Sequence, residues 1–333
     1  MTVSRAIPDP VSLEFRLLNG WQRGFPLTRT PFAHIAATEG VTEADVLTAF
    51  RRLGADGFLS RIGAIVAPNV VGASTLAAMA VPPGRVEQVA ALVNAEPCVN
   101  HNYERENRLN LWFVAAAPDE ATLAATLARI ESRSGLAVRD LRLRRPFHLD
   151  LGFSLNGPAA GKLAPSAIDA SALQPGDTAI LAAIEDGVPV VARPFAAVAT
   201  IVDRDETEIM QRLSALLVAG IIRRFGVIVR HRALGIAANA MAVWDVADSD
   251  VERLGSAFAA EPGVTLCYAR DRAFDWLYNL YCMVHARQRA QAQKTISWLN
   301  SIAGEAARSS DVLFSTRCFK QTGARFAPAR RAA

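Results

Sequence analysis

Lysine is nearly absent from this sequence: of 36 basic side chains in 333 residues, only Lys162, Lys294 and Lys320 are lysine, and the rest are arginine. Cysteine is sparse as well. Cys98, Cys267, Cys282 and Cys318 form no CxxC pair, so buried free thiols are expected rather than a zinc site or a redox couple. No apolar h-region opens the sequence, and no uninterrupted apolar run reaches about 18 residues, so neither secretion nor a membrane span is expected and a cytoplasmic place is. GxGxxG, Walker A, HExxH and serine or cysteine nucleophile signatures are all missing, which sets aside a conventional nucleotide enzyme or hydrolase. What remains is 51% hydrophobic residues, enough for a large core in two or more domains. The net charge of +4 is carried by arginine forks, which bind carboxylate or phosphate bidentately and suit a polyanionic ligand. A GC-rich coding bias gives the same surplus, so both readings stand.

Helical spacing runs through Val11, Phe15, Leu18 and Trp21, then from Pro31 to Glu39, then from Glu43 to Leu53 with Thr42 as its cap. Three short helices with a tight glycine turn predict a helix-turn-helix over 11–57. Apolar runs at 58–68 and 75–81, a helix over 85–94, a polar stretch leading into Leu109–Phe113, a helix over 120–132 and an alternating run over 138–144 predict a first ferredoxin-like domain, 58–156. Residues 157–176, rich in Ala, Pro, Gly and Ser, read as a linker. The plan then repeats, with a second helix-turn-helix over 177–220 and a second ferredoxin-like domain over 221–326. The predicted fold is α+β: two tandem repeats, each a helix-turn-helix followed by a βαββαβ module. Such a chain reads as a dimer fused into one polypeptide, free to specialise its halves.

The repeat is imperfect where it matters. Asn100-His101-Asn102-Tyr103-Glu104-Arg105-Glu106 returns as Thr265-Leu266-Cys267-Tyr268-Ala269-Arg270-Asp271, so Leu266 stands where His101 stood. Arg61-Ile62-Gly63 returns as Arg224-Phe225-Gly226, and Arg230-His231-Arg232 lies where the first copy has Ala67-Pro68-Asn69. Each half thus holds one histidine that the other lacks, and His101 and His231 are candidates for one asymmetric site. Arg61, Arg105, Arg224, Arg230 and Arg270 are candidates for anion binding. Tyr103 and Tyr268 suit a ligand carboxylate or a flat ring, and equally a half-buried place in a sheet. His34 reads as packing or surface, His148 aligns with Lys320, and His285 draws no role. Acidic residues open both candidate recognition helices, Thr42-Glu43-Ala44-Asp45 and Asp203 to Glu208, and would repel a phosphate backbone, so DNA binding is disfavoured.

Helix-turn-helix followed by βαββαβ resembles the Lrp/AsnC superfamily. Within it, Arg61-Ile62-Gly63-Ala64, the run from Asn100 to Glu106, Asn110-Leu111-Trp112-Phe113 and the run from Arg224 to Gly235 resemble siroheme decarboxylases, in the fused two-subunit form of heme d1 biosynthesis. The likeness covers roughly residues 11 to 326. It implies that siroheme loses its C12 and C18 acetate carboxyl groups, giving 12,18-didecarboxysiroheme and two CO2. It implies His101 and His231 as the paired active-site histidines, with contact of either to the substrate's iron left open. It requires no cofactor and no protein-held metal. The expected partner is an iron tetrapyrrole. Homodimer formation and work beside other heme d1 maturation proteins stay open. The competing reading is an Lrp/AsnC-type regulator responsive to haem; a tetrapyrrole carrier is a third.

Overall fold

In the first helix-turn-helix, α1 (Leu13–Gly20), α2 (Pro31–Glu39) and α3 (Glu43–Ala55) bury Phe32, Ile35 and Phe50. Pro31 opens α2, where its missing N–H costs nothing, and Gly40 closes it in the left-handed region at φ 68°. Thr42 and Asp45 form a reciprocal capping box at the start of α3. A computed structural model describes residues 6–149, 152, 155 and 167–325. Half of the expected linker 157–176, residues 157–166, lies outside the described residues. After it, α6 (Asp177–Ala183), α7 (Pro194–Val202) and α8 (Glu206–Val218) repeat the three-helix plan, with buried Asp177 held by Arg212 at 2.7 Å.

The chain divides into two compact units, one holding 6–71 and 167–235, the other 72–149 and 236–325. In the first, β1 (Leu59–Val66) pairs antiparallel with β7 (Ile222–Val229) as a two-stranded ribbon. These strands, expected to open the modules 58–156 and 221–326, leave those modules and join the helix-turn-helix elements. Local pattern names a strand but not its partner. Here the partner is the strand's own copy, with Gly63 opposite Gly226. Phe225 on β7 meets Phe25 at 5.9 Å and Phe195 at 6.2 Å, tying both three-helix groups to the ribbon. Val227 N–H donates to the Trp21 carbonyl at 2.8 Å, so the chain after α1 runs directly over Gly226. A Cβ there would run into the Gln22 carbonyl. Gly226→Ala is therefore expected to cost roughly 1–3 kcal/mol by overpacking, read as a lower urea midpoint with an unchanged m-value.

The second unit carries two βαββαβ modules. The first is β2 (Ala73–Met79), α4 (Val86–Asn94), β3 (Val99–Arg105), β4 (Leu111–Ala117), α5 (Glu120–Ser134) and the last run β5 (Arg139–Leu141) and β6 (Leu143–Leu149). The second is β8 (Ala238–Val246), α9 (Val251–Ala260), β9 (Val264–Arg270), β10 (Leu280–Ala286), α10 (Arg289–Ala303) and β11 (Ala307–Gln321). Their strands form one antiparallel sheet ordered β5-β2-β4-β3-β11-β8-β10-β9-β6. The last strand of each module is shared: β11 pairs with β8 and then β3, and the run 139–149 pairs with β2 and then β9. Because β5 and β6 are separated only by Arg142, the two ends of the strand order are one piece of chain, and no long edge is left open.

Successive side chains on each strand point to opposite faces of the sheet, and both faces carry apolar clusters. Val89, Val93, Phe113, Leu123 and Ile130 pack under α4 and α5, and Trp244, Leu254, Phe258, Ile296 and Leu299 under α9 and α10. A third cluster, including Trp112, Met241, Tyr268, Tyr281 and Leu313, lies on the sheet faces turned from those helices. Among the described residues no helix is long and apolar enough to cross a membrane.

Candidate functional site

Strand period 2 puts His101, Tyr103 and Arg105 on one face of β3 and Asn102 on the other. Asn102, fully buried, donates to the Ala90 carbonyl at 3.3 Å and to Asn94 Oδ1 at 3.0 Å, which locks β3 to α4. On the opposite face the His101 and Tyr103 rings stack at 6.3 Å with 23° between planes, and the Arg105 guanidinium sits 5.6 Å from the Tyr103 ring centre. His101 Nδ1 lies 3.1 Å from Asn100 Oδ1; a carbonyl oxygen only accepts, so Nδ1 carries hydrogen. Arg105 is buried and its Nη1 donates to Asn239 Oδ1 and to the Leu313 carbonyl.

The copy on β9 is drier. Leu266 pairs across strands with Leu149, where His101 pairs with Gln321. Polar therefore faces polar in one module and apolar faces apolar in the other. Tyr268 is packed in the apolar cluster, stacked on Tyr281 at 5.7 Å, and burial pushes its phenol above the ordinary range. Arg270 lies 4.5 Å over the Tyr268 ring and donates to the Leu141 carbonyl at 2.7 Å.

Arg61, Arg224, Arg230 and His231 lie in the other unit. Arg224, opposite Ile65 on the ribbon, is buried and its Nη1 donates to the Gln22 carbonyl at 2.6 Å. Burial, with Arg23 and Arg61 nearby, lowers its pKa to about 10. Three cations gathered at one place repel each other and fit an anion between them. Arg230 is exposed just after β7. His231 is buried in the turn that follows, where Leu234 N–H donates to its carbonyl at 3.1 Å, and burial together with Arg232 pushes the imidazole down to about 4. At pH 7 it is neutral.

A histidine whose folded pKa lies below its ordinary 6.5 stabilises the fold fully above pH 6.5 and loses that contribution as pH falls toward 4. The expected loss is on the order of 3 kcal/mol. His231→Gln should flatten the decline between pH 6.5 and 4.5 by about 2 kcal/mol in urea titrations, leaving the steeper losses at lower pH in place.

The acidic residues that open α3 and α8 serve the fold. Asp45 belongs to the capping box, Asp205 accepts from Thr207 and Glu208 N–H, and buried Glu206 pairs with Arg193. Each keeps negative charge where a recognition helix would meet phosphate. Of the candidates read from sequence, the structure brings together His101, Tyr103 and Arg105, then Tyr268 and Arg270, then Arg61 and Arg224; His101 and His231 belong to different units. Sequence reading passed over Arg23, whose loop 21–26 returns as 184–189 with Asp186 in its place, so no repeated arginine flags it. It also passed over Asn239 and Thr265, and gave His285 no role.

Fold and strand chemistry together define a tandem helix-turn-helix and ligand-binding chain. The family model of the AsnC-like ligand binding domain matches residues 71–148 and 233–320, and that of the siroheme decarboxylase NirDL-like HTH domain matches 14–59 and 177–223. The siroheme decarboxylase NirDL subunit of Paracoccus denitrificans (strain Pd 1222) is 48% identical over 318 residues, covering 95% of this chain and 97% of that one. A siroheme decarboxylase of Hydrogenobacter thermophilus is 32% identical, covering 92% of each chain. The crystal structure of a siroheme decarboxylase NirDL in complex with an iron-uroporphyrin III analogue superposes with a TM-score of 0.66 at 28% identity, covering 94% of this chain and 93% of that one. This chain belongs to the siroheme decarboxylase family.

Proposed function

We propose that the chain decarboxylates siroheme at its C12 and C18 acetates, giving 12,18-didecarboxysiroheme for heme d1 assembly. The observation that carries this reading is the likeness over nearly the full chain to the NirDL subunit of Paracoccus denitrificans. The siroheme decarboxylase NirD and NirL subunits of Stutzerimonas stutzeri each match just under half of the chain, 44%, which supports a fused pair working as a pseudo-dimer. Cytoplasmic work, with no cofactor beyond the substrate's own iron, completes the reading.

Siroheme is a flat polycarboxylate, and Arg61, Arg105, Arg224, Arg230 and Arg270 supply charge to hold it. In each step the bond between methylene and carboxylate breaks, CO2 leaves, and the electron pair stays on the methylene, delocalised into the conjugated ring. An imidazolium then donates the proton that completes the methyl and is reprotonated from water. The two histidines divide the work. His231, neutral at pH 7, offers a lone pair suited to the substrate's iron. His101, half-buried beside Asn100, delivers the proton.

The test is anaerobic incubation of the purified chain with siroheme, followed by mass spectrometry. A product lighter by two CO2 is expected. Binding at unchanged mass would make the chain a carrier, and a salt-dependent shift of a specific promoter fragment would make it a regulator. The capped acidic helix starts argue against the last.

A further inference from the structure

A line of hydrogen bonds in the sheet unit runs through His285, which the proposed chemistry leaves idle. Arg105 Nη1 donates to Asn239 Oδ1 at 3.2 Å. Asn239, buried, turns its amide nitrogen to His285 Nε2 at 2.9 Å. His285 Nδ1 lies 2.7 Å from Thr265 Oγ1, and that hydroxyl donates to the Met283 carbonyl at 3.0 Å. The polarity of the line is forced from both ends. A guanidinium only donates, so Asn239 must show Arg105 its oxygen and His285 its NH2. His285 Nε2 then accepts, Nδ1 carries the hydrogen, and Thr265, with its own hydrogen committed, receives it. One orientation of Asn239 and one tautomer of His285 satisfy every contact.

At the matching positions the first module carries serine and alanine instead of asparagine and histidine. Counting along the ladders, Leu111 opposite Met79 leads to Ala116 opposite Ser74, while Leu280 opposite Trp244 leads to His285 opposite Asn239. The counterpart of Thr265 is Asn100, which meets His101 instead. The asymmetry therefore coincides with the one that sets His101 against Leu266. Arg105, on the histidine-bearing strand, is held by a polar side chain of the other module, Asn239, beside the Leu313 carbonyl, whereas its counterpart Arg270 donates to the Leu141 carbonyl.

We propose that Asn239, His285 and Thr265 are positioning residues that fix the Arg105 guanidinium, and with it the stack of Tyr103 and His101, for a carboxylate of the tetrapyrrole substrate. The proposal rests on the siroheme reading. A side chain acting through Arg105 loses its influence once Arg105 is altered, whereas one that merely supports the sheet does not.

The experiment compares wild type, His285→Leu, His285→Gln, Arg105→Lys and the double variant Arg105→Lys with His285→Leu. Siroheme affinity is followed by absorbance titration and turnover by mass. His285→Leu is expected to weaken affinity or turnover about tenfold, a coupling of ordinary size for groups in contact. His285→Gln keeps an acceptor for Asn239 and should recover most of that loss. In the Arg105→Lys background, His285→Leu should add little. Equal losses in both backgrounds, or wild-type behaviour of His285→Leu, would overturn the proposal. Should wild type bind siroheme without turnover, the decarboxylase reading falls while the affinities still decide the relay; absence of binding overturns both.

Discussion

Replacing His101 with alanine lowers siroheme decarboxylation by about 10² to 10⁴-fold, the range typical of a lost general acid, and leaves the unfolding midpoint close to that of wild type. Stability is spared because the ring is half-buried and its removal opens no sealed cavity. The β3 ladder to β4 and β11 is a backbone matter and survives the truncation. Leu266→His, placed in the same background, is not expected to restore turnover. That position faces Leu149 across the strands, follows Thr265 rather than Asn100, and sits beside a tyrosine sunk in the apolar cluster. Rates come from single-turnover mass spectrometry and stability from urea titration. Near-normal product formation by His101→Ala removes His101 from proton delivery.

Local signals in the sequence reached far into the fold. Thr42 was readable as a cap because short polar side chains before an apolar period satisfy orphan N–H groups, and the structure adds its reciprocal partner Asp45. Internal alignment paired Tyr103 with Tyr268, and the ladders place both opposite the same position of the shared strands, Cys318 and Pro146. Partner choice was not readable. That β1 pairs with β7, and that β6 and β11 cross to the other module, depends on contacts more than about 110 residues apart in the chain.

The candidate site shows the same division. Polar residues crowded on one strand advertise themselves, and period 2 sorts His101, Tyr103 and Arg105 to one face. Asn239, Thr265 and His285 are isolated polar residues on three apolar strands, and nothing in their own neighbourhoods distinguishes them. Register alone assembles them, and only afterwards does the replacement of Asn239 and His285 by Ser74 and Ala116 in the other module gain meaning. Arg23 is the converse case: its neighbours Arg61 and Arg224 recur in both copies, but the copy of its own loop carries Asp186 in its place, and only the lowered pKa of Arg224 exposes the gathering.

Replacing His231 with alanine is expected to lower turnover by about 10²-fold or more and to change the absorption spectrum of bound siroheme, whereas His101→Ala changes turnover alone. The distinction follows from protonation. An imidazole pushed down to about 4 by burial and by Arg232 is almost entirely neutral at pH 7, poorly placed to give a proton and well placed to offer a lone pair. A carboxylate-rich substrate arriving near Arg232 would offset that cation and draw the imidazole pKa upward. The spectral contribution of His231 should then weaken at low pH before the fold fails. Anaerobic titration at pH 7 and pH 5.5 measures both effects, and an unchanged spectrum in His231→Ala excludes iron contact. The same titration counts sites. With one distinctive histidine in each half, a single asymmetric site per chain predicts saturation at one tetrapyrrole; two tight equivalents, both turning over, would show that the module carrying Leu266 is active in its own right.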